Sequence, residues 1–218
     1  MMIKMFKAAL FDLDGVVLDT ESQYSAFWSG IFQRFLGDGE NYAKKIKGQT
    51  LQQIFHTYFN EKMDLQRIIS VELEDFEQRM NYPFIPGVLP FVKALRAIDV
   101  KTAIVTSSTK EKMEHVYQNH PDLPSYFNAI LTAGDFPHSK PAPDCYLLAA
   151  HRVGVSISEC VVFEDSINGL RSGCASGAKV VGLATTNCQE VIAPIADMVV
   201  SDFTVITSPK TLADALCH

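Results

Sequence analysis

Phe11-Asp12-Leu13-Asp14-Gly15-Val16 is entered from the apolar run Ala8-Ala9-Leu10-Phe11. As a buried strand, that run delivers two carboxylates where it leaves the sheet, the edge at which open α/β folds place their sites. Side chains two apart in extended chain point to the same side. Two acids held together there repel each other and need a cation, a shared proton or different environments. Standing alone, Asp-x-Asp-Gly reads as an acidic turn after a strand. Three further segments weigh against that.

Beyond residue 84, strand-like and helix-like segments alternate. Residues 100–105, 129–131, 160–163, 179–183 and 198–200 are short, apolar and rich in β-branched side chains, as expected of strands covered on both faces. Between them the apolar spacing predicts helices over 89–97, 111–118, 144–153 and 167–176. Pro143 suits a first helical position, Ser166 an N-cap and Gly177 a helix end, and Ser208-Pro209 opens a last short helix. Such alternation implies an α/β fold with a parallel sheet between helices.

Residues 20–83 differ, with no convincing strand. Tyr24, Phe27, Trp28, Ile31, Phe32 and Phe35 form one stripe at steps of three and four. Leu51, Ile54, Phe55, Tyr58 and Phe59 form a second behind Thr50 as a cap, and a third helix is expected over 64–80. Gly37-Asp38-Gly39 and Gly48 punctuate the region, and Pro83 and Pro86 close it. A helical subdomain is therefore inserted after the first strand.

Three more segments carry chemistry. Thr106-Ser107-Ser108-Thr109 follows a strand, where hydroxyls and backbone N–H groups can hold a phosphate, although such a run is more often a helix cap. Ser139-Lys140-Pro141-Ala142-Pro143-Asp144 puts a lysine on a loop stiffened by two prolines. Val161-Val162-Phe163-Glu164-Asp165-Ser166 is another apolar strand ending in paired acids. With Asp12 and Asp14 these supply an oxygen-only ligand set of the kind that favours Mg²⁺, an ion that keeps several waters and coordinates substrate phosphate. Acid pair, hydroxyl, lysine and acid pair recur in order, each at a strand's end.

Composition bounds the rest. The 218 residues are 47% apolar and 20% charged, an ordinary globular balance. No stretch approaches the length of a membrane helix. Lys4 and Lys7 interrupt the N-terminal apolar stretch, which lacks the core of a secretory signal. Cys145, Cys160, Cys174, Cys188 and Cys217 are scattered without a Cys-x-x-Cys and are expected to be reduced packing residues in a cytoplasmic protein. The net charge of −6, without a basic stripe, argues against nucleic-acid binding. The six histidines show no metal-ligand spacing; His138, near Lys140, is the one to check.

On Asp12-Leu13-Asp14-Gly15-Val16-Val17-Leu18-Asp19-Thr20, Thr106, Lys140-Pro141 and Glu164-Asp165, the chain resembles the haloacid dehalogenase-like hydrolase superfamily over nearly its full length. Lys140-Pro141-Ala142-Pro143-Asp144 and Phe163-Glu164-Asp165-Ser166 place it nearest the branch of β-phosphoglucomutases and sugar-phosphate or phosphoglycolate phosphatases. The resemblance implies a Rossmann-like core (1–19 and 84–218) under a helical cap (20–83). It assigns Asp12 as nucleophile and Asp14 as the acid and base, with Mg²⁺ on Asp12, the Asp14 carbonyl and Asp165, and Glu164 binding directly or through water. Thr106 and Lys140 would hold the transferring group's oxygens, Ser107 would donate its N–H, and Ser108 would reach substrate or cap a helix. Retention of Asp14 points to phosphate esters rather than halides.

Thr20, and just past it Tyr24 and Trp28 on the first cap helix, are candidates to face substrate. Ile46-Lys47-Gly48-Gln49-Thr50 resembles the mutases' substrate loop, but Leu51 and Gln52 stand where mutases continue with arginine, and Tyr24 replaces an expected histidine. Hydrolysis of a small phosphorylated metabolite by a monomer or weak dimer is therefore the expected function. A phosphosugar mutase is second, and a catalytically silent metabolite binder third.

Overall fold

A computed structural model describes residues 6–216; Lys4, Cys217 and His218, invoked above, lie outside the described residues. The apolar runs form β1 (Ala8–Phe11), β2 (Lys101–Val105), β3 (Ala129–Leu131), β4 (Cys160–Glu164), β5 (Lys179–Leu183) and β6 (Met198–Val200). All pair in parallel, in the order β3-β2-β1-β4-β5-β6. This is the Rossmann-like α/β fold that the sequence leads one to expect. Successive residues of β1 serve opposite faces: Ala9 and Phe11 enter one core, Ala8 and Leu10 the other.

Four helices make up the stretch inserted after β1: α1 (Glu21–Leu36), α2 (Gly39–Lys45), α3 (Leu51–Tyr58) and α4 (Met63–Arg79). They bury a core of their own around Trp28, Ile31, Phe32, Ile54, Phe59 and Ile69. Thr50 starts α3 with a capping box: its side chain accepts from the backbone N–H of Gln53, whose side-chain Oε1 accepts from the N–H of Thr50. The chain leaves and returns side by side. The N–H of Asp19 donates to the Pro83 carbonyl (2.8 Å), that of Ile85 to Val17 (3.0 Å), and Leu18 bridges Phe84 antiparallel.

Helices α5 (Val88–Arg96), α6 (Lys110–Asn119) and α10 (Pro209–Leu216) cover the Phe11 face. α7 (Asp144–Arg152), α8 (Ile167–Ser176) and the short α9 (Gln189–Ile192) cover the other.

Some expectations are corrected. Gly37-Asp38-Gly39, expected as punctuation, ends α1 on a left-handed Gly37 and starts α2 at once, with Asp38 accepting from the Asn41 N–H. The C-cap Gly37 and the N-cap Asp38 are adjacent, which leaves no loop for the composition to mark. Pro143 precedes α7 rather than opening it, and Cys174 and Cys188 are exposed rather than packed. No helix among the described residues is long and apolar enough to cross a membrane.

Because β1 sits between β2 and β4, its C-terminal end marks the point where the strand order reverses. Phe11 anchors that end. Its ring stacks on Phe163 (centroids 4.7 Å apart) and meets the edges of Phe91 and Phe127. Phe11→Ala is expected to cost about 3–5 kcal/mol. In urea unfolding the midpoint should fall at unchanged slope.

Candidate active site

The pairing of β1 with β4 carries one residue past the strand: the N–H of Asp12 donates to the Phe163 carbonyl (3.0 Å). Asp12 therefore lies beside Glu164, the last residue of β4, and Asp165. Carboxylate oxygens of Asp12, Glu164 and Asp165 lie within 4.8 Å of one another, the one group among the described residues with the spacing to hold a metal ion. Between Asp12 and Asp165 the chain turns through Gly15, at φ +77°. A Cβ there would lie 2.2 Å from Asp165 Oδ2, so only glycine fits.

Lys140, 1% exposed, enters this cluster from the loop before α7. Its Nζ donates to Asp12 Oδ1 (2.5 Å), Glu164 Oε1 (2.6 Å) and the Val105 carbonyl (3.1 Å). Glu164 is fully engaged. Oε1 also accepts from Tyr146 Oη (3.0 Å), and Oε2 accepts from the Asp165 and Ser166 N–H groups and the Ser166 hydroxyl at the start of α8. Gly169 makes room for it, since a Cβ there would overlap the Glu164 carboxylate. Asp165 contrasts with this. It is buried, and neither of its carboxylate oxygens accepts a hydrogen bond among the described residues.

Asp14 points elsewhere. Lys112, 3% exposed, donates to both of its oxygens (2.6 and 2.5 Å), Thr20 Oγ1 to Oδ1 (2.5 Å) and Ser108 Oγ to Oδ2 (3.0 Å). The two acids are thus driven apart electrostatically. Burial pushes Asp12 up to about 8, against the pull of Lys140 and with help from the charges of Glu164 and Asp14. For Asp14, burial acts in the same direction, but the Lys112 ammonium and the hydroxyl donors outweigh it and hold the carboxyl below its ordinary value. Asp165 is raised well above its ordinary value by burial and by the neighbouring charges of Glu164, Glu21 and Asp12. One buried ammonium thus faces three clustered carboxylates.

Above these groups a cavity of about 300 Å³ opens between the sheet edge and the four helices. Asp12, Asp14, Asp165, Thr106, Ser107 and Ser108 line one side, and Tyr24, Trp28, Lys47 and Gln49 the other. The Thr106 hydroxyl accepts from the Ser108 N–H (3.0 Å), while the Ser107 hydroxyl and Gln49 Oε1 have no partner among the described residues.

Two predicted residues are placed differently. Thr20 is fully buried against Asp14 rather than lining the cavity, and Ser108 is not a helix cap, because Thr109 caps α6 and leaves Ser108 free to bond Asp14. His138 pairs with the exposed side of Asp144 (2.8 Å), away from the cluster.

Tyr146 and Lys112 were not anticipated. For Lys112 a signal existed: it shares the apolar side of α6 with Met113 and Val116, an unusual place for a lysine.

The haloacid dehalogenase-like hydrolase family model matches residues 6–177. The chain belongs to that family. Among its relatives, glycerol-1-phosphate phosphohydrolase 1 of Saccharomyces cerevisiae is 30% identical over 194 residues, covering 82% of this chain and 75% of the relative. Validoxylamine A 7'-phosphate phosphatase of Streptomyces hygroscopicus is 25% identical over 213 residues, covering 94% and 98%. A crystal structure of a family IA, variant 3 hydrolase from Entamoeba histolytica superposes with a TM-score of 0.83 at 24% identity, over 97% of this chain and all of that one, which extends the shared fold to the helical segment. The expectation of a phosphoric monoester hydrolase agrees with the family and with these named activities.

Lys140→Met is expected to cost about 3–5 kcal/mol, because it strips the counter-charge from buried carboxylates. Asp12 already sits at about 8, and without Lys140 it holds its proton more tightly in the folded chain than in the unfolded one. Stability of the variant should therefore fall as pH rises. Thermal melts across pH check the sign.

Proposed function

We propose that this chain is a Mg²⁺-dependent phosphatase that hydrolyses a small, singly phosphorylated metabolite of the sugar-phosphate class through an aspartyl-phosphate on Asp12. One observation carries the reading: the Lys140 ammonium lies 2.5 Å from Asp12, which clusters with the bare Asp165 carboxylate, and both of these acids line the cavity. The all-oxygen, partly unpaired donor set fits a hard divalent cation. Asp12, Asp165 and the Asp14 carbonyl would hold it, with Glu164 acting through water because both its oxygens are already hydrogen-bonded. When bound, the ion adds the positive charge that keeps Asp12 ionised and offsets charge on the phosphoryl oxygens.

The chain's own groups divide the remaining work. Asp12 attacks phosphorus, while Lys140, Thr106 and the N–H of Ser107 hold the phosphoryl oxygens. Asp14 gives a proton to the leaving oxygen and later takes one from water. Residues 20–83 act as a cap on the core formed by 1–19 and 84–218, and Tyr24, Trp28 and Gln49 face the leaving group.

Hydrolysis is favoured over isomerisation by charge. A mutase must hold a second phosphate, yet both lysines lining the cavity are committed, Lys47 to Glu21 (2.5 Å) and Lys112 to Asp14. Glu74, Glu77 and Glu111 also line the cavity, so its far side favours an uncharged leaving group. The relatives named for glycerol 1-phosphate and validoxylamine A 7'-phosphate support a polyol of this kind.

With Mg²⁺ the protein should release phosphate from p-nitrophenyl phosphate and small sugar phosphates, and lose that activity in EDTA. Asp12→Asn should show no turnover above background; residual turnover would refute its role. Given β-glucose 1-phosphate with a trace of the 1,6-bisphosphate, it should yield inorganic phosphate faster than glucose 6-phosphate.

With Asp12 at about 8, an incoming cation must displace a proton near neutrality. Mg²⁺ affinity should therefore strengthen from about pH 6 to about pH 8. Calorimetry in two buffers should show proton release.

A further inference from the structure

Asp14 is held by donors alone. Lys112 reaches both of its oxygens, Thr20 one and Ser108 the other, so three chain segments fix the plane of the carboxylate and present it as an acceptor. Lys112 is itself seated from two sides. On the core side, Thr109 caps α6 and accepts from the N–H of Lys112 (3.4 Å), which sets the residue in the helix's first turn. On the other side, the ring of Tyr24 lies 4.4 Å from its ammonium, and Tyr24 Oη is tied to Glu77 of α4 (2.7 Å). The ammonium thus sits between the helical segment and the sheet edge and is buried there. Nothing in the phosphatase reading uses it.

We propose that Lys112 is a positioning residue for the second half of the reaction, holding the Asp14 carboxylate where it accepts a proton from the water that attacks the aspartyl-phosphate. In that step a water O–H bond breaks and its proton passes to Asp14. A bond forms from the water oxygen to phosphorus, and the phosphorus–Asp12 oxygen bond breaks with its electron pair returning to the Asp12 carboxylate. Lys112 touches neither water nor phosphorus; it acts through Asp14. This rests on the phosphatase reading above.

The test separates the two halves. p-Nitrophenolate departs without needing a proton, so the first half on p-nitrophenyl phosphate does not depend on Asp14, whereas the second half does for every substrate. Rapid-mixing measurements with p-nitrophenyl phosphate and Mg²⁺ give a burst rate for the first half and a steady-state rate for the whole. In Lys112→Met the burst rate should stay within about threefold of wild type while the steady-state rate falls about tenfold or more, a part of the roughly 10²–10⁴-fold that a positioned base contributes. Adding Lys112→Met to Asp14→Asn should cost less than about threefold further, since coupled residues are not additive.

Equal losses in both rates, no loss in either, or a rise in KM at constant kcat would overturn the proposal. If Lys112→Met does not fold, Lys112→Gln, polar but uncharged and one atom shorter, carries the same comparison. Failure of the phosphatase reading itself would be visible separately, as wild-type protein that releases no p-nitrophenol.

Discussion

The site depends on one buried ammonium. Lys140 is shared by Asp12 and Glu164, residues more than 150 positions apart that meet only because β1 and β4 are neighbours. Burial by itself would strip the proton from this lysine, and the charges of Asp12 and Glu164 more than reverse that. The pair cannot be broken cheaply, because each member is buried and has no water to fall back on. Geometry that catalysis needs is thereby fixed by folding. Tyr146 and the first N–H groups of α8 complete the arrangement by occupying the remaining lone pairs of Glu164.

Charge bookkeeping then separates the two aspartates that open the site. Asp12 shares one lysine with other acids and is pushed up to about 8; Asp14 has a lysine to itself and is held low. The proposed division of labour between nucleophile and proton carrier would require environments that differ, and the difference between these two carboxylates arises from which strand edge each one faces. Asp12 points along the β1–β4 crevice, whereas Asp14 turns toward α6 and the helical segment.

Much of this was legible in the sequence because it is local. Period and capping residues mark strands and helices: β3, β5, β6 and α8 run as expected, down to Ser166 and Gly177 at the ends of α8. The four motif segments were legible because each follows a strand, and parallel strands bring their ends to one edge. What escaped notice is what only tertiary packing creates. Tyr146 looks like core, and Lys112, though its place beside Met113 and Val116 hints at burial, has no sequence neighbour that points to Asp14 as its partner. Thr20 reads as a substrate contact and Ser108 as a substrate contact or a helix cap, because hydroxyls near a site look alike in sequence; the fold bonds both to Asp14 and leaves only Ser108 at the cavity. The helix α2 was missed because Gly37, Asp38 and Gly39 are cap residues as well as turn residues.

The helical segment shows why substrate choice is the hardest property to read. Trp28 is at once part of that segment's core and a wall of the cavity, and Tyr24 packs against Phe76 while its ring covers Lys112. An aromatic stripe spaced for packing therefore also shapes the pocket, and its residues cannot be sorted by periodicity. Charge sorts them better. The lysines at the cavity are neutralised by Glu21 and Asp14, and the remaining glutamates repel a second anion. In the proposed function Lys140 and the carboxylate cluster would select the phosphate end. The far end would then be selected by exclusion, admitting neutral polyols of several shapes and leaving shape alone to choose among them.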